Sequence, residues 1–432
     1  MTAREKITGY ESRLREYTNF AVRGVKKVCK ACGPRPSCSP QERKAQEMMQ
    51  KDLETCCESV RMEPFRAAPG AFLLWIRVGV LSGIAGALAY NLGYAIAGAV
   101  IIALSILFAV LEFVCYKRAA DWFMPKKESQ NLIAVRRPAG EVKRRLILSG
   151  HADSSNEWNY TYLGYKHFKK PILMPVVASA LVALLFCLGV SIAAIARGYG
   201  WVGIGGLAQR GPVLTILGYV AAGLCLPLLS GWFFEQKKRP VMGANDDLSG
   251  CFTAMAAAKM LGDLKLRLEN TELMVVCGGG EEIGLRGIKA FCRAHAKEFT
   301  DVETVFVALD TMTDYEFIKV MCRDLNGIVK HDSAVCAMIK HSAETAGHDI
   351  PYGSCFFGSS DATAATQAGL RACLFSAMDE APADYYHTRL DTVDRLQPKT
   401  VEACLDILME TVYQFDETGL APFEGRRVKV GE

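Results

Sequence analysis

The segment RRLILSGHAD, residues 144–153, carries three consecutive apolar residues, then Ser-Gly, and then His151 and Asp153. A short apolar run bounded by glycine predicts a buried β-strand, and this strand should end at the histidine. The run ELMVVCGGG, residues 272–280, repeats the pattern and is followed by Glu281 and Glu282. The carboxyl ends of the predicted strands therefore coincide with titratable side chains.

Helical segments separate these strands. The alanine-rich stretch CFTAMAAAKML, residues 251–261, follows the polar loop GANDDLSG, residues 243–250. A further strand, TVFVALD, residues 304–310, ends at Asp310. This alternation favours an α/β fold with an open, doubly wound and mostly parallel sheet, in which sites form beyond the carboxyl ends of the strands.

Four apolar stretches stand apart from this pattern. The block 72–114 splits at Asn91-Leu92-Gly93, and the blocks 171–196 and 211–234 follow later in the chain. Each stretch is close to the ~20 residues that a helix needs to cross a bilayer. We therefore predict two α-helical transmembrane hairpins, with four transmembrane helices in all, and the lipid bilayer as a partner.

Lysine and arginine are concentrated beside one end of these hairpins. On that side stand Lys117, Arg118, Lys126, Lys127, Lys166, Lys169, Lys170, Lys237, Lys238 and Arg239. The connection on the other side carries Arg197 and Arg210. Because cytoplasmic loops carry the excess of positive charge, we expect a multi-pass integral membrane protein whose N-terminus and large polar segments are cytoplasmic.

Charge and cysteine content restrict the possible partners and the cellular compartment of the protein. A formal net charge of +4 over 432 residues is too small to indicate a nucleic-acid partner. The 16 cysteines lack the spacing of a disulfide framework, and the chain opens with a polar segment rather than a signal peptide, which agrees with a reducing compartment. Cys29-Lys30-Ala31-Cys32 has the form of a zinc knuckle or redox motif, but no second spaced pair follows it.

Five separated groups form a possible metal-ligand set. They are His151, Asp246, Glu282, Asp310 and His387. Imidazole nitrogens and carboxylate oxygens suit zinc. With Asp246 as a bridge, five ligands suffice for two zinc-like ions and leave a position for water. Glu281 beside Glu282 lets one strand end supply both a ligand and a general base.

Five sequence blocks, in this order, resemble the signature blocks of metallopeptidase family 28, the co-catalytic zinc aminopeptidases and carboxypeptidases. The blocks are HAD (151–153), GANDDLSG (243–250), GGGEEIGLRG (278–287), ALD (308–310) and YYHTRLDT (385–392). The resemblance covers essentially the whole chain outside the hairpins. It implies a membrane-anchored, zinc-dependent aminopeptidase that acts on peptides with two Zn²⁺ ions as cofactors.

The resemblance also implies a role for each matching residue. Glu282 and His387 would hold one ion, His151 and Asp310 the other, and Asp246 would bridge them. Supporting roles would fall to Glu281 as general base, Asp153 as the group that orients His151, Asp247 after an unusual cis peptide, Tyr386 beside the oxyanion, and Asp391 as a further supporting carboxylate.

The resemblance implies one peptidase domain interrupted by the two hairpins. The expected order is 1–70 (peptidase, first part), 71–116 (hairpin 1), 117–168 (peptidase, middle part), 169–235 (hairpin 2) and 236–432 (peptidase, last part). No pattern in the sequence indicates an oligomeric state.

Three other functions stay open. A carboxypeptidase or dipeptidase of the same family would share all the ligands. Glutaminyl cyclases resemble the family but use a single zinc, which the five retained ligands disfavour. Relatives that have lost catalysis serve as receptors or scaffolds, but such relatives lose ligands.

Two features depart from the family pattern. A whole hairpin separates His151 from Asp246, which leads us to expect that the bilayer holds the catalytic mouth near its surface and favours peptides at the membrane. The block GSSDATAATQAGL, residues 358–370, lacks the histidine that many members carry beside the aspartate, here Asp361. The resemblance therefore assigns no substrate contact to Asp361.

Overall fold

The computed structural model describes residues 2–431 except Pro171, Phe356, Phe357, Glu380 and Pro382. Contacts within the chain divide it into two compact units. Unit 1 comprises residues 1–67, 127–156 and 239–432, and unit 2 comprises residues 68–126 and 157–238.

The β-strands, in chain order, are β1 (Ser59–Ala67), β2 (Lys127–Arg136), β3 (Arg144–His151), β4 (Asn156–Trp158), β5 (Glu235–Pro240), β6 (Thr271–Gly278), β7 (Glu303–Met312), β8 (Ile318–Met321), β9 (Arg323–Asp324), β10 (Val329–Lys330), β11 (Tyr352–Gly353) and β12 (Arg371–Ala377).

The α-helices, in chain order, are α1 (Ala3–Lys6), α2 (Tyr10–Cys32), α3 (Pro40–Leu53), α4 (Leu74–Asn91), α5 (Ala95–Ala109), α6 (Asn159–Phe168), α7 (Leu173–Ala196), α8 (Gly211–Cys225), α9 (Leu248–Asp263), α10 (Arg286–Ala294), α11 (Ser333–Ala346), α12 (Asp361–Gln367) and α13 (Pro398–Thr418).

Among the described residues of unit 1, eight strands form one mixed sheet in the order β1-β2-β6-β3-β7-β12-β8-β11. The four central strands, β6, β3, β7 and β12, run parallel. Antiparallel pairs join β1 to β2, β2 to β6, and β8 to β12. The predicted α/β class with a mostly parallel, doubly wound sheet is therefore correct, and the antiparallel pairs lie toward the two edges.

Helices cover both faces of this sheet. Helix α9 packs on β3, β6 and β7 and is itself covered by α2 and α13, while α10 and α12 pack on other strands. Four alanines of α9, Ala254, Ala256, Ala257 and Ala258, are completely buried. Such small side chains let the helix lie close to the sheet, which explains the alanine-rich stretch after the GANDDLSG loop.

The alternation of side chains along β3 determines the face of the sheet on which His151 lies. Gly150 faces α9, because a Cβ there would lie 2.5 Å from the amide nitrogen of Cys251. Successive strand residues point to opposite faces, so His151 faces the side of the sheet that carries α10 and α12. Glycine at 150 leaves room for the start of α9 against the strand.

Unit 2 is a bundle of apolar helices. Helix α4 packs on α5 and α8, α5 packs on α7, and α7 packs on α8. The segments predicted to be apolar helices are helical. A π-helical turn, Val110–Val114, extends α5, and a 3-10 segment, Leu226–Phe233, follows α8.

Among the described residues, four helical stretches are long and apolar enough to cross a membrane: Leu74–Asn91, Ala95–Val114, Leu173–Ala196 and Ile204–Phe233. Only 22–28% of each apolar window is buried within the protein. Their side chains therefore leave a large apolar surface, which is typical of helices that face lipid.

Candidate metal centre

The centre lies where three parallel strands of unit 1 end. His151 is the last residue of β3, Asp310 lies near the end of β7, and Glu281 follows β6 after the turn Gly278-Gly279-Gly280. Because β3 lies between β6 and β7, their carboxyl ends meet at one edge of the sheet. This is the edge at which open α/β sheets build their sites.

Asp246 and Asp247 enter the centre from the loop before α9, and the peptide bond between them is cis. The carboxylate of Asp247 is the N-cap of α9, since its Oδ1 accepts the amide of Gly250 at 2.9 Å. The same carboxylate accepts the amides of His151 at 3.0 Å and of Thr311 at 3.0 Å. Asp247 therefore ties helix α9 to the ends of β3 and β7.

His387 comes from a turn between β12 and α13. Its φ is +51°, and its ring stacks on Tyr386 with centroids 4.0 Å apart and planes 15° apart. Four residues later, Asp391 accepts the amide of Asn245 at 2.8 Å and that of Asp246 at 3.3 Å. The turn that carries His387 is thus bonded to the loop that carries Asp246.

The side chains from these segments meet closely. Nε2 of His151 lies 3.1 Å from Oδ1 of Asp246, and Nε2 of His387 lies 3.2 Å from Oδ2 of the same carboxylate. Nε2 of His387 also lies 3.1 Å from Oε2 of Glu282. Glu281 is beside them, with Oε2 at 3.9 Å from Nε2 of His151. One carboxylate, Asp246, therefore stands between two imidazoles.

Two groups of donor atoms in this cluster are close enough to hold a metal ion: His151, Asp247 and Asp310, and His151, Asp246 and Glu282. Since His387 lies against Asp246 and Glu282, the structure brings together all five residues predicted as ligands. It also places Asp247, predicted only as a supporting residue, beside Asp310.

Asp153 contacts both His151 and the paired glutamates. Its carboxylate lies 3.5 Å from Nδ1 of His151 and accepts the amides of Glu281 at 3.2 Å and Glu282 at 3.1 Å. A hydroxyl from Ser37 donates to it at 2.5 Å. One buried carboxylate therefore orients both the histidine and the paired glutamates, a second role that its position in the sequence did not reveal.

The electrostatics of the centre reflect an excess of buried carboxylates. Burial raises the pKa of Glu281 well above its usual range, and Glu282 and Asp361 add to the effect. Burial and the nearby Asp246 raise the pKa of Asp310 to about 6. The pKa of His387 is raised to about 10, because Glu282 and Asp246 outweigh the opposing effect of burial. The buried carboxylates therefore favour the binding of positive charge at the centre, such as protons on the histidines.

These residues fit bound divalent metal ions. The donors are imidazole nitrogens and carboxylate oxygens, the set that suits zinc. Within the described residues, Oε1 of Glu282 is buried and accepts no hydrogen bond. A buried acceptor of this kind is costly unless a ligand satisfies it.

Two residues of the centre escaped the sequence analysis. Glu42 of α3 is fully buried, and its Oε1 accepts the amide of Gly280 at 2.9 Å, next to Glu281. Its other oxygen accepts the amide of Cys38 and the hydroxyl of Ser129. The only signal in the sequence was a glutamate three residues after Ser39, an arrangement that usually marks a helix start.

Arg35 is the second residue that the sequence analysis missed. It is fully buried and donates to the carbonyl oxygens of Ala152, Met242 and Gly243 at 2.7 Å each, and to that of Gly33 at 3.2 Å. The guanidinium fork thus joins the strand end with His151 to the loop that leads to Asp246.

Asp361, the first residue of α12, also lies close to the centre. It is 4% exposed, and its Oδ1 accepts no hydrogen bond from the described residues. Burial is the main reason that its pKa rises to about 7. It is a further buried carboxyl group close to the predicted ligands.

Comparison with known families and structures agrees with this geometry. Residues 231–412 match the model of Peptidase family M28, and a search of curated proteins gave no match. An α/β fold with a buried histidine and carboxylate cluster at the sheet edge, together with this match, defines the class as a metallopeptidase.

Solved structures give the same fold. An aminopeptidase from Aneurinibacillus sp. strain AM-1 superposes with a TM-score of 0.55 at 15% identity, covering 93% of this chain and 95% of that chain. BSAP, a zinc aminopeptidase from Bacillus subtilis, gives 0.53 at 13% identity, with 92% and 94% covered. A glutaminyl cyclase from Fimbriiglobus ruber gives 0.54 at 15% identity, with 92% and 95% covered. The match to peptidase family M28 thus covers residues 231–412, and these solved structures share the fold of the chain.

Proposed function

We propose that this protein is a membrane-anchored, zinc-dependent aminopeptidase. The observation that carries the proposal is the position of Asp246, with one carboxylate oxygen 3.1 Å from Nε2 of His151 and the other 3.2 Å from Nε2 of His387. A carboxylate between two imidazoles is what a ligand shared by two ions requires.

In this proposal Glu282 and His387 would hold one Zn²⁺, His151 and Asp310 would hold the other, and Asp246 would be shared by the two. When bound, the ions would lower the pKa of a shared water and polarise the peptide carbonyl. Asp247 lies in one of the two donor groups, but its oxygens already accept three backbone amides. We therefore assign it to positioning.

Glu281 is the general base. Its carboxylate is 11% exposed and faces His151, so it can reach a water at the centre. The raised pKa of this carboxyl group favours capture of a proton from that water and its transfer to the leaving amine. We propose that Tyr386, whose ring stacks on His387, donates a hydrogen bond to the oxyanion.

The membrane part of the proposal rests on the four apolar helices. We propose that they span the bilayer, with the N-terminus and the peptidase part in the cytoplasm, as the lysine and arginine distribution indicates. Substrates would then be peptides with a free amino terminus near the membrane surface.

Hydrolysis of a panel of aminoacyl amides by detergent-purified protein tests the proposal. Wild type, Glu281→Gln and the exposed control Glu316→Gln should each contain two zinc ions by elemental analysis. Wild type and Glu316→Gln should release amino-terminal residues. Loss of a general base typically costs about 10²–10⁴-fold, and we expect a loss in that range for Glu281→Gln.

Three further substrates separate the alternatives. Peptides with a blocked amino terminus report carboxypeptidase activity, and free dipeptides report dipeptidase activity. A peptide with amino-terminal glutamine reports cyclisation by release of ammonia without release of a residue. Turnover of any of these in place of the aminoacyl amides would replace the aminopeptidase assignment, and wild type without zinc or turnover would favour a scaffold.

A further inference from the structure

Unit 2 has two unlike ends. At one end, which we call the open end, the chain enters and leaves the helices. There the guanidinium of Arg77, near the start of α4, lies 5.5 Å from the ring centroid of Trp232, and Trp75 lies 5.0 Å from Phe113. At the opposite, closed end, the two connections meet, with Tyr94 and Trp201 at 5.2 Å.

Large aromatic rings are exposed at the open end. Trp122 is 94% exposed, although it lies in the 3-10 turn Ala120–Trp122. Phe123, Phe168 and Phe233 are each more than 60% exposed. Aromatic side chains rarely face water to this extent, whereas they are enriched where a membrane meets its headgroups.

Lysines adjoin these rings in the sequence. The exposed lysines of unit 2 are Lys117, Lys126, Lys166, Lys169, Lys170, Lys237 and Lys238. All seven belong to segments at the open end. The acidic residues of unit 2 do not balance them at the surface, since Glu112, Asp121 and Glu157 are buried and Glu235 is half-buried. The open end is therefore a cationic surface interleaved with aromatic rings.

The closed end differs. Arg210 is 5% exposed and donates to the carbonyl oxygen of Tyr90 at 2.6 Å, while Arg197 is exposed. Trp201 is 65% exposed there, but it stands without the surrounding lysines. If only apolar contacts mattered, the two ends would bind the same partner. The positive charge of the open end therefore indicates a negatively charged partner there.

Helix α6 holds part of this surface in place. The hydroxyl of Tyr160 donates to the carbonyl of Ser230 at 2.8 Å, and Nδ2 of Asn159 donates to that of Phe233 at 2.6 Å. The helix exposes Leu163 and Phe168 together with Lys166. Apolar and basic side chains on one exposed helix are typical of segments that lie in a membrane interface.

We propose that the open end of unit 2 binds the headgroups of anionic phospholipids. Its lysines pair with lipid phosphates, and Trp122, Phe123 and Phe168 insert at the boundary between headgroups and acyl chains. Clusters of basic residues beside membrane helices attract anionic lipids in this way. The proposal rests on the four helices spanning a bilayer and not on the peptidase assignment.

Fluorescence quenching by brominated lipids tests this directly. The full chain is placed in nanodiscs of equimolar phosphatidylglycerol and phosphatidylcholine, with bromine on the acyl chains of one lipid or of the other. The contribution of Trp122 is the difference between wild type and Trp122→Phe. We expect brominated phosphatidylglycerol to quench this contribution more strongly than brominated phosphatidylcholine, whereas the contribution of Trp201, obtained from Trp201→Phe, should be quenched equally by both.

A charge-matched pair of variants identifies the lysines. Lys166→Gln, Lys169→Gln and Lys170→Gln together should abolish the preference of Trp122 for the anionic lipid. The same changes at the exposed lysines Lys26, Lys27 and Lys30 of α2 should leave it intact. High salt should also weaken the preference of Trp122, because surface charges are screened, and this measurement leaves the lysines unchanged.

Equal quenching of Trp122 by the two lipids would overturn the proposal. So would loss of the preference on adding inorganic phosphate at constant ionic strength, because the surface would then be a site for free anions. If neither Trp122 nor Trp201 is quenched by any brominated lipid, the spanning helices are wrong as well. The aminopeptidase assay is independent of all three results.

Discussion

The two units of the chain differ in where their charged side chains lie. Unit 1 gathers a group of carboxylates at one sheet edge and holds them through backbone amides, as Asp247 and Asp153 do. Unit 2 leaves its lysines exposed and buries few charges among apolar helices. Polar networks therefore specify the geometry of unit 1, while unit 2 depends on composition and on its surroundings.

A buried arginine in each unit makes the contrast concrete. Arg35 bonds four carbonyl oxygens from segments that are distant in sequence. Arg210 donates to one, that of Tyr90, and lies 4.6 Å from the centroid of the same tyrosine ring. The first arginine holds a site together, and the second fastens the start of one helix to the end of another.

The largest effect should come from removing the shared carboxylate. Asp246→Asn should lose bound zinc and all measurable hydrolysis, because two histidines would lose the acceptor between them. Asp361→Asn, a buried neighbour without an assigned ligand role, should keep both ions. Elemental analysis and amide hydrolysis on the two variants measure this, and equal zinc in both would contradict the bridging role of Asp246.

The two arginines should differ in stability. Leaving buried carbonyls unsatisfied costs about 1–3 kcal/mol each, so Arg35→Met should lower the opening free energy of strand β3 by at least about 3 kcal/mol. Arg210→Met loses fewer bonds and should lower that of α8 by roughly 1–2 kcal/mol. Hydrogen exchange followed segment by segment gives both values.

Arg35→Lys serves as the intermediate case, since an ammonium lacks the planar fork. A β3 segment equally protected in Arg35→Met and wild type would show that the four bonds contribute little.

Glu42 provides a finer test of unit 1. Glu42→Gln replaces one acceptor by a donor facing the amide of Gly280 or of Cys38, which should shift the turn before Glu281. We expect kcat to fall about tenfold, which corresponds to about 1.4 kcal/mol of transition-state stabilisation, with KM and zinc content nearly unchanged. The exposed Glu47 of the same helix supplies the control, Glu47→Gln. A change in KM alone would point to substrate binding instead.

The smallest effect concerns a cap far from the centre. Asp332 accepts the amides of Ala334 and Val335 at the start of α11 and pairs with Arg371 at 2.8 Å. Replacing such a cap by alanine costs about 1 kcal/mol. Although burial opposes it, Arg371 and the amides lower the pKa of Asp332 below its usual 3.8.

A lowered pKa in the folded state means that this carboxylate stabilises the protein above its unfolded-state pKa. The contribution disappears as the pH falls through the folded value. The difference in unfolding free energy between wild type and Asp332→Ala should therefore be full at neutral pH and shrink below about pH 4. Denaturant unfolding across this range measures it, and a difference that grows on acidification would contradict the assignment.

The sequence predicted the parts of the fold that depend on local pattern. The strands that became β3, β6 and β7 each carry an apolar run, and their parallel order follows from their alternation with helices. His151, Asp246, Glu282, Asp310 and His387 were found because motifs mark the ends of elements. Their roles as ligands stay predictions.

The remaining features depend on contacts without a local pattern. Glu42 meets Gly280 across 238 residues of chain, and Arg35 meets Gly243 across 208. A glutamate and an arginine at such positions resemble ordinary surface residues. Helix α6 was missed for another reason, since its mixture of tyrosine and lysine has neither an apolar face of the usual width nor a transmembrane length.

The three separated segments of unit 1 are synthesised at different times, so the candidate metal centre is complete only after the last of them. Arg35 is translated before both hairpins, His151 between them, and Asp246 and Asp391 after them. At about 5–20 residues per second, the ribosome needs roughly 20–70 s to pass from Arg35 to Asp391. Both apolar helix pairs of a nascent chain are therefore synthesised before all residues of its candidate metal centre are present.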